Sequence, residues 1–528
     1  MTAARASHPR GLYVLCGVEM WERFSFHTMR AMLVLFLTAP VASSGFGWAS
    51  GDALRLYGLY TGLIYLTPVL GGLLADRVFG MQRAIIIGAS LMCLGHFLMA
   101  GPAIAPWLGD RVSDGIISQV IEQSAVPLGQ SLTPEISDRI ANAISEQAAI
   151  DQNSTSLQHL TERVYLSITA SFFAALLALV AGAGLFLPAA SSLLGSLYDR
   201  SDANRESGFF IFYLAINVGA TLAPIAGGIF GERIGWHVGF TVAGFAMLLG
   251  LASFLVFRGR YIGDIGATTK ADTTQAARIT SARVSATVIR DRVIAMLSLS
   301  SFLILSELCL GQGGGLLSLF VRDRVDRTVF DYEIPAVWFQ SLFPLFIVIS
   351  LIALTALTPI LDRRGRNPVT TLKFAIGFLA LALSFLVLLV ASTGAELVAP
   401  LWVVLVYALM AVTEVLLYPV ARAMVTRYAQ KEHLVTFMGI LFLCIALGSM
   451  ASGWVGALAE AFTVEQIFAT LVVVALVAAT VLVLLTGRLR RLSHGLEQGY
   501  SPLHSPSESD SSTGRQASAG ERVLSQEP

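Results

Sequence analysis

The sequence predicts an all-α membrane protein of about twelve spans, organised as two six-helix halves, and three observations predict it. The 528 residues are 55% hydrophobic and only 13% charged, with a mean hydropathy of +0.70, whereas a soluble domain carries about 25% charged residues. Apolar stretches of 18 or more residues recur along the chain, each long enough to cross roughly 30 Å of hydrocarbon. The third observation is a loop pattern that occurs twice. GGLLADRVFGMQR (Gly71 to Arg83) follows the second stretch, and PILDRRGR (Pro359 to Arg366) follows the eighth, the equivalent place in the second half. Matching signatures at matching positions indicate a parallel duplication, a common transporter architecture.

The spans fall near 12–38, 52–75, 83–104, 166–196, 207–230 and 236–257, then 292–321, 335–361, 369–392, 398–427, 434–459 and 464–486. Arginines gather in alternate loops: Arg77 and Arg83; Arg200 and Arg205; Arg258 through Arg292; Arg363, Arg364 and Arg366; Arg422, Arg427 and Lys431. By the positive-inside rule these loops and both termini are cytoplasmic. The opposite loops hold fewer basic residues, and Arg322, Arg324 and Arg327 stand there among Asp323, Asp326, Asp331 and Glu333. The expected organisation is a first six-helix bundle over 1–258, a polar cytoplasmic linker over 259–291, a second bundle over 292–488 and a tail over 489–528. That tail is rich in Ser, Gln and Glu and has little to bury, so it is expected to be disordered. An insert of about 107–162 faces outside and contains TPEISDRIANAISEQ, in which Thr133 can cap a helix and Pro134 can occupy its first turn. It reads as a small external helical cap.

Several functions are excluded. Net charge is zero and the arginines are dispersed, so no basic stripe can follow phosphates, and nucleic acid is not an expected partner. Cys16, Cys93, Cys309 and Cys444 lie inside apolar segments without a CxxC pair or metal-ligand spacing, and read as small core residues. The histidines are scattered, no HExxH or GxSxG occurs, and GQGGGLL (Gly311 to Leu317) lacks the GK[ST] of a phosphate loop. The chain is therefore read as no enzyme, without cofactor or metal. The glycine run suits close helix packing or a flexible gate.

The stretch EMWERFSFHTMRAML (Glu19 to Leu33) puts four ionisable groups into the first span. At 100° per residue, Glu19, Glu22, Arg23, Phe26 and Arg30 project within roughly 60° of one direction, forming a polar stripe. Trp21, Met29, Met32, Leu33 and Leu35 occupy the other faces, which suit lipid or neighbouring helices. An unpaired Asp, Lys or Arg at mid-bilayer costs about 2.5–3.5 kcal/mol on insertion scales. An opposite charge at about 4 Å recovers roughly 4 kcal/mol at an effective dielectric near 20. Pairing of Arg23 with Glu19 at i, i+4 is thus expected, beside a wet cavity. Two more acids, Glu307 in the seventh span and Glu414 in the tenth, are also buried in the sequence pattern. Intramembrane carboxylates mark a proton or substrate path.

These residues resemble the proton-dependent oligopeptide transporter family of the major facilitator superfamily. EMWERFSFHTMRAML is similar to the family signature ExxERFxYYxxR at Glu19, Glu22, Arg23, Phe24 and Arg30. GFFIFYLAINVGATLAP is similar to FYxxINxG and keeps Tyr213 and Asn217, TEVLLYPVA resembles GExxxxP with Glu414 at its acid, and Tyr65 matches a binding-site tyrosine. The resemblance covers nearly all of residues 10–490 apart from the insert. It implies the major facilitator fold and symport of protons with di- or tripeptides by alternating access across a cytoplasmic membrane. On that basis Glu19, Glu22, Arg23 and Glu414 are proton-coupling residues, with Glu307 expected to stand in from one turn away for an acid the family has in span seven, and Arg23, Arg30, Tyr65, Tyr213, Asn217 and Glu414 bind substrate. Asp76, Arg77, Asp362 and Arg363 belong to the cytoplasmic gating motif. The partners implied are protons, small peptides or related solutes, and the lipid bilayer.

Departures from the family pattern keep two alternatives open, a carrier of another small anionic or amphipathic solute and a non-transporting sensor. Leu187 and Ala189 replace the lysine and asparagine of the KPN signature, and Phe26 and His27 replace a tyrosine pair. Gly311 and Gln312 stand at the EQ of span seven, with Glu307 one turn earlier, and Phe343 stands where asparagine is usual. Dipeptide competition separates the first alternative from peptide transport. His27 is either a titratable relay or an imidazole satisfied by a neighbouring carbonyl.

Overall fold

The computed structural model describes residues 8–40, 45–100, 155–199, 204–267, 285–394, 397–429 and 434–494, together with Ser43 and Asp202. The first bundle contains α1 (Arg10–Thr38), α2 (Ser50–Leu74), α3 (Met81–Met99), α4 (Thr155–Ser196), α5 (Arg205–Ala226) and α6 (Trp236–Tyr261). The second contains α7 (Ala286–Leu310), α8 (Leu316–Arg324), α9 (Leu342–Arg363), α10 (Thr370–Ser392), α11 (Pro400–Tyr428), α12 (Leu434–Ala457) and α13 (Val464–Leu492). Among the described residues, 11 helices are long and apolar enough to cross a membrane. The twelfth crossing is α1, 29 residues long, about 43 Å at 1.5 Å per residue, whose charges keep it from reading as plain hydrocarbon.

Five expectations are adjusted by these boundaries. The seventh span is broken at the glycine run: a 3-10 turn over Gly311–Gly313 separates α7 from α8. The third helix stops at Met99, short of 104. Helix α4 begins at Thr155, eleven residues before the expected start at 166, so the C-terminal end of the expected insert belongs to the same helix. Helix α7 begins at Ala286, inside the expected linker, and α13 runs to Leu492, past the expected start of the tail. The capping sequence at Thr133 and Pro134, most of the linker and most of the tail lie outside the described residues. A short hairpin, β1 (Thr328–Val329) with β2 (Tyr332–Glu333), pairs antiparallel between the seventh and eighth spans.

Sequence chemistry accounts for the helix ends and bends. At the start of α13, the Thr463 hydroxyl accepts from the Gln466 amide at 3.3 Å while the Gln466 side chain accepts from the Thr463 amide at 3.1 Å, a reciprocal capping box. Pro224 inside α5 removes one ladder donor, and the helix then widens to π geometry over Gly227–Ile234. A second π segment, Ala75–Phe79, closes α2 at the first copy of the repeated loop. Both copies turn on a glycine in the left-handed region, Gly80 (φ 76°) and Gly365 (φ 61°), which a residue with a Cβ disfavours. The four cysteines are free and buried.

Helix α1 is central to its bundle and packs on α5 and α6. Met29, Met32, Leu33 and Leu35 are buried, so the non-stripe faces contact neighbouring helices, and lipid is not their solvent. Lipid tails give helices no hydrophobic reason to associate, so close approach depends on small residues. A Cβ on Gly88 of α3 would stand 2.6 Å from the Gly182 carbonyl of α4, which fixes glycine at that crossing. The two halves meet along α2 with α12 and along α5 with α9.

Candidate functional site

The polar stripe forms as its spacing predicts. Arg23 Nε lies 3.4 Å from Glu19 and 2.6 Å from Glu22. Glu22 is 1% exposed and Glu19 4%, so one guanidinium serves two nearly dry carboxylates. Both acids depend on this single guanidinium, so their desolvation is only partly compensated and the cluster is sensitive to any third charge or proton. Phe26 stacks beneath the same guanidinium at 5.5 Å.

Arg30, two turns further along α1, has a different environment. Its Nε donates to the Tyr57 hydroxyl of α2 at 2.8 Å, with the guanidinium 5.8 Å from that ring. Tyr57 in turn sits against the broken helix, since a Cβ on Gly314 would run into its hydroxyl. The glycine run thus serves packing at this point, and the Tyr407 hydroxyl donates to the Gly313 carbonyl at 2.9 Å. Arg30, His27, Gln340, Phe343, Tyr407 and Met410 line a cavity of about 40 Å³ between the halves, room for a few waters. His27 packs edge-on to Phe26 at 5.0 Å, and among the described residues no carbonyl is hydrogen-bonded to it.

The acids of the second half converge on the same region. Glu307 on α7 is buried; the Tyr418 hydroxyl of α11 donates to one of its oxygens and the Ser449 hydroxyl of α12 donates to the other at 3.0 Å. One turn on, Gln312 donates to the Ser452 carbonyl at 2.9 Å. Tyr65 of α2 lies within electrostatic range of Glu307, Arg30, Glu414 and Arg23. Glu414 is half-buried on α11 and feels Glu307, Arg422 and Arg30.

Other predicted residues are placed differently. Asn217 is buried, but its amide donates to the Tyr213 carbonyl on its own helix at 2.9 Å, so that donor faces α5 itself. Tyr213 reaches across to the apolar group of Ile347, Ala411 and Val415. Leu187 packs as a half-buried side chain against the core of its bundle. In the repeated loops Asp76 is half-buried and Arg77 exposed, while Asp362 accepts from Asn367 at 2.6 Å beside an exposed Arg363. Sequence reasoning missed Tyr57, Tyr407, Tyr418 and Ser449. Only Tyr418 had a local signal, since it lies one turn from Glu414 within TEVLLYPVA. Among the described residues, no group of three His, Cys, Asp or Glu side chains is arranged to hold a metal ion.

Two six-helix halves around a charged central cavity define a multi-pass membrane transporter of the major facilitator type. The sequence model of the POT family (PTR2) matches residues 82–286 and 264–474, and the chain belongs to that family. It is 28% identical over 556 residues to the peptide transporter YePEPT of Yersinia enterocolitica, covering 93% of this chain and 96% of that one. It is 24% identical over 544 residues to a di-/tripeptide transporter of Lactococcus lactis, covering 90% and 95%. The crystal structure of a peptide transporter POT in complex with sulfate superimposes with a TM-score of 0.73 at 28% identity, covering 93% of this chain and 96% of that chain.

Proposed function

We propose that this protein takes up di- and tripeptides together with protons by alternating access, in a cell membrane with both termini in the cytoplasm. The observation that carries the reading is Arg30, held by Tyr57 at the cavity between the halves, with the acids Glu307 and Glu414 of the second half in its electrostatic reach. A zwitterionic peptide needs a positive group for its carboxylate and an acid for its ammonium. Arg30, held by a neutral phenol, is the better carboxylate receptor at rest, and Arg23 becomes a second one when Glu19 or Glu22 takes a proton. Glu414 receives the ammonium, while Glu307 couples protonation to the second half. Tyr65, Tyr213 and Asn217 shape the cavity between these charges. Relatives named as peptide and di-/tripeptide transporters support the substrate class.

The orientation follows from arginine placement. What supports it is that Arg77, Arg83, Arg363, Arg364 and Arg366 gather in alternate loops, and positive loops stay inside. Asp76 with Arg77 and Asp362 with Arg363 then form matched cytoplasmic loops, one per bundle, that steer the inner gate. The bundles extend over 1–258 and 292–488, joined by a cytoplasmic linker.

The test is uptake of a labelled dipeptide into proteoliposomes with and without an inward proton gradient. Accumulation that collapses with an uncoupler is the expected result. A folded preparation that accumulates no dipeptide under any gradient overturns the reading.

A further inference from the structure

The six-residue segment Ala336–Ser341, which leads into α9, is joined to the first half at successive depths. At its surface end the Glu232 carboxylate, on the π segment after α5, accepts from the Ala336 amide at 3.0 Å and the Val337 amide at 3.1 Å. Two residues deeper, the Trp338 indole donates to the Ile225 carbonyl at 3.0 Å. Two residues deeper again, the Gln340 amide donates to the Ala31 carbonyl of α1 at 3.0 Å. Ala31 follows Arg30, and Gln340 and Arg30 both line the central cavity. The ladder therefore runs without a break from the protein surface to the cavity.

The surface end is reinforced. Arg327 lies 3.4 Å from Glu232 and 2.6 Å from Glu333, and Arg233 stacks on Tyr332 at 4.6 Å while donating to the Glu333 carbonyl. The π widening after Pro224 adds a residue to the turn and directs consecutive side chains, Glu232 and Arg233, toward the other half. The hairpin they grip carries Phe330 and Asp331 at φ 49° and 61°. Positive φ at both central residues is what a two-residue hairpin turn of this kind requires.

We propose that Glu232 is the locking residue of the outer gate and that Ala336–Ser341 is the element that opens. Withdrawal of Glu232 releases two amides at one end of the ladder, and loss of the Gln340 bond beside Arg30 releases the other. A ligand arriving at Arg30 and a lock at the surface thus act on one rigid segment. Only the assignment of this face as outer rests on the transporter reading; the lock itself does not.

The experiment measures labelling of Ser341→Cys, a conservative reporter inside this seam, by a membrane-impermeant maleimide in full-length protein in intact cells. In that background, Glu232→Ala removes both amide contacts, and Trp338→Phe keeps an aromatic ring while removing the indole N–H donor. The expected result is at least a threefold faster labelling in either variant, with concentrative dipeptide uptake reduced at least fivefold and dipeptide exchange retained. Labelling unchanged in both variants overturns the lock. The labelling arm needs neither a substrate nor a proton gradient, so a failure of the peptide assignment, seen as absent uptake in wild type, is distinguishable from a failure of the gate.

Discussion

The Tyr418 phenol of α11 donates a hydrogen bond to the Glu307 carboxylate of α7. With Ser449 of α12 on the second oxygen, three helices of the second half meet at a single acid. A carboxylate bound this way reports its charge to all three, because removing the charge weakens both bonds at once.

Glu307→Gln keeps the side-chain shape and fixes the group in its neutral form. Concentrative uptake of a labelled dipeptide is expected to vanish, while exchange of labelled for unlabelled dipeptide continues at a rate within a few-fold of wild type. Tyr418→Phe deletes a bond to a charged group, a loss of about 1.5–3 kcal/mol, and should lower concentrative uptake about tenfold. Wild-type accumulation by the Gln variant would exclude Glu307 from coupling.

Arg30 and Arg23 differ in partner, and their lysine substitutions should differ in consequence. Arg30 presents a planar fork fixed by its Tyr57 bond, and lysine offers a point charge without that fork. Arg30→Lys is therefore expected to raise the dipeptide concentration for half-maximal uptake about tenfold, with the maximal rate less affected. Arg23→Lys, whose residue neutralises Glu19 and Glu22, should instead depress the maximal rate. Titrating uptake against dipeptide concentration in both variants separates the two roles, and identical kinetics would show that the arginines are equivalent.

Helical periodicity carried most of the architecture and the stripe on α1, because both depend on local spacing in one chain segment. The pairing of Arg23 with Glu19 was legible for that reason, yet its closer contact with Glu22 was not, since adjacent residues meet only through side-chain reach. Tyr57, Tyr418 and Ser449 are ordinary hydroxyls in apolar helices, and their roles come from which helices pack together. The break at Gly311–Gly313 was readable as a glycine run, but the side chain packed against it, with the Tyr57 hydroxyl at Gly314, lies 257 positions away in the chain. Asn217 shows the converse: a polar side chain on a signature segment satisfied its donor on its own helix.

His96 of α3 is 2% exposed, and its Nε2 lies 2.6 Å from the Ser25 hydroxyl of α1. Substituting His96→Leu leaves that hydroxyl buried without its partner, at a cost of about 1–3 kcal/mol. Thermal unfolding in detergent should show a lower midpoint for His96→Leu, and the double variant with Ser25→Ala should recover part of the loss. A double-mutant cycle with no coupling energy would show that the contact contributes nothing.

Helices α2 and α12 belong to different halves and cross where Gly58 meets Gly453. A Cβ on Gly58 would stand 2.7 Å from Gly453 Cα, so the backbones touch and any side chain must push the halves apart. At Gly439, further along the same pair of helices, a Cβ would meet Val69 at 3.5 Å, an ordinary contact. Gly439→Ala is accordingly expected to leave uptake unchanged, with a small gain in helix stability from the better helix former. Gly58→Val forces a strained contact that costs about 1–3 kcal/mol by overpacking, and it acts on the crossing that two rocking halves must share. Initial uptake rates, normalised to folded protein by size-exclusion chromatography, should fall more than tenfold for Gly58→Val. Wild-type rates in that variant would mean that the halves do not need this backbone contact in any state of the cycle, and the pivot would then lie elsewhere along α5 and α9.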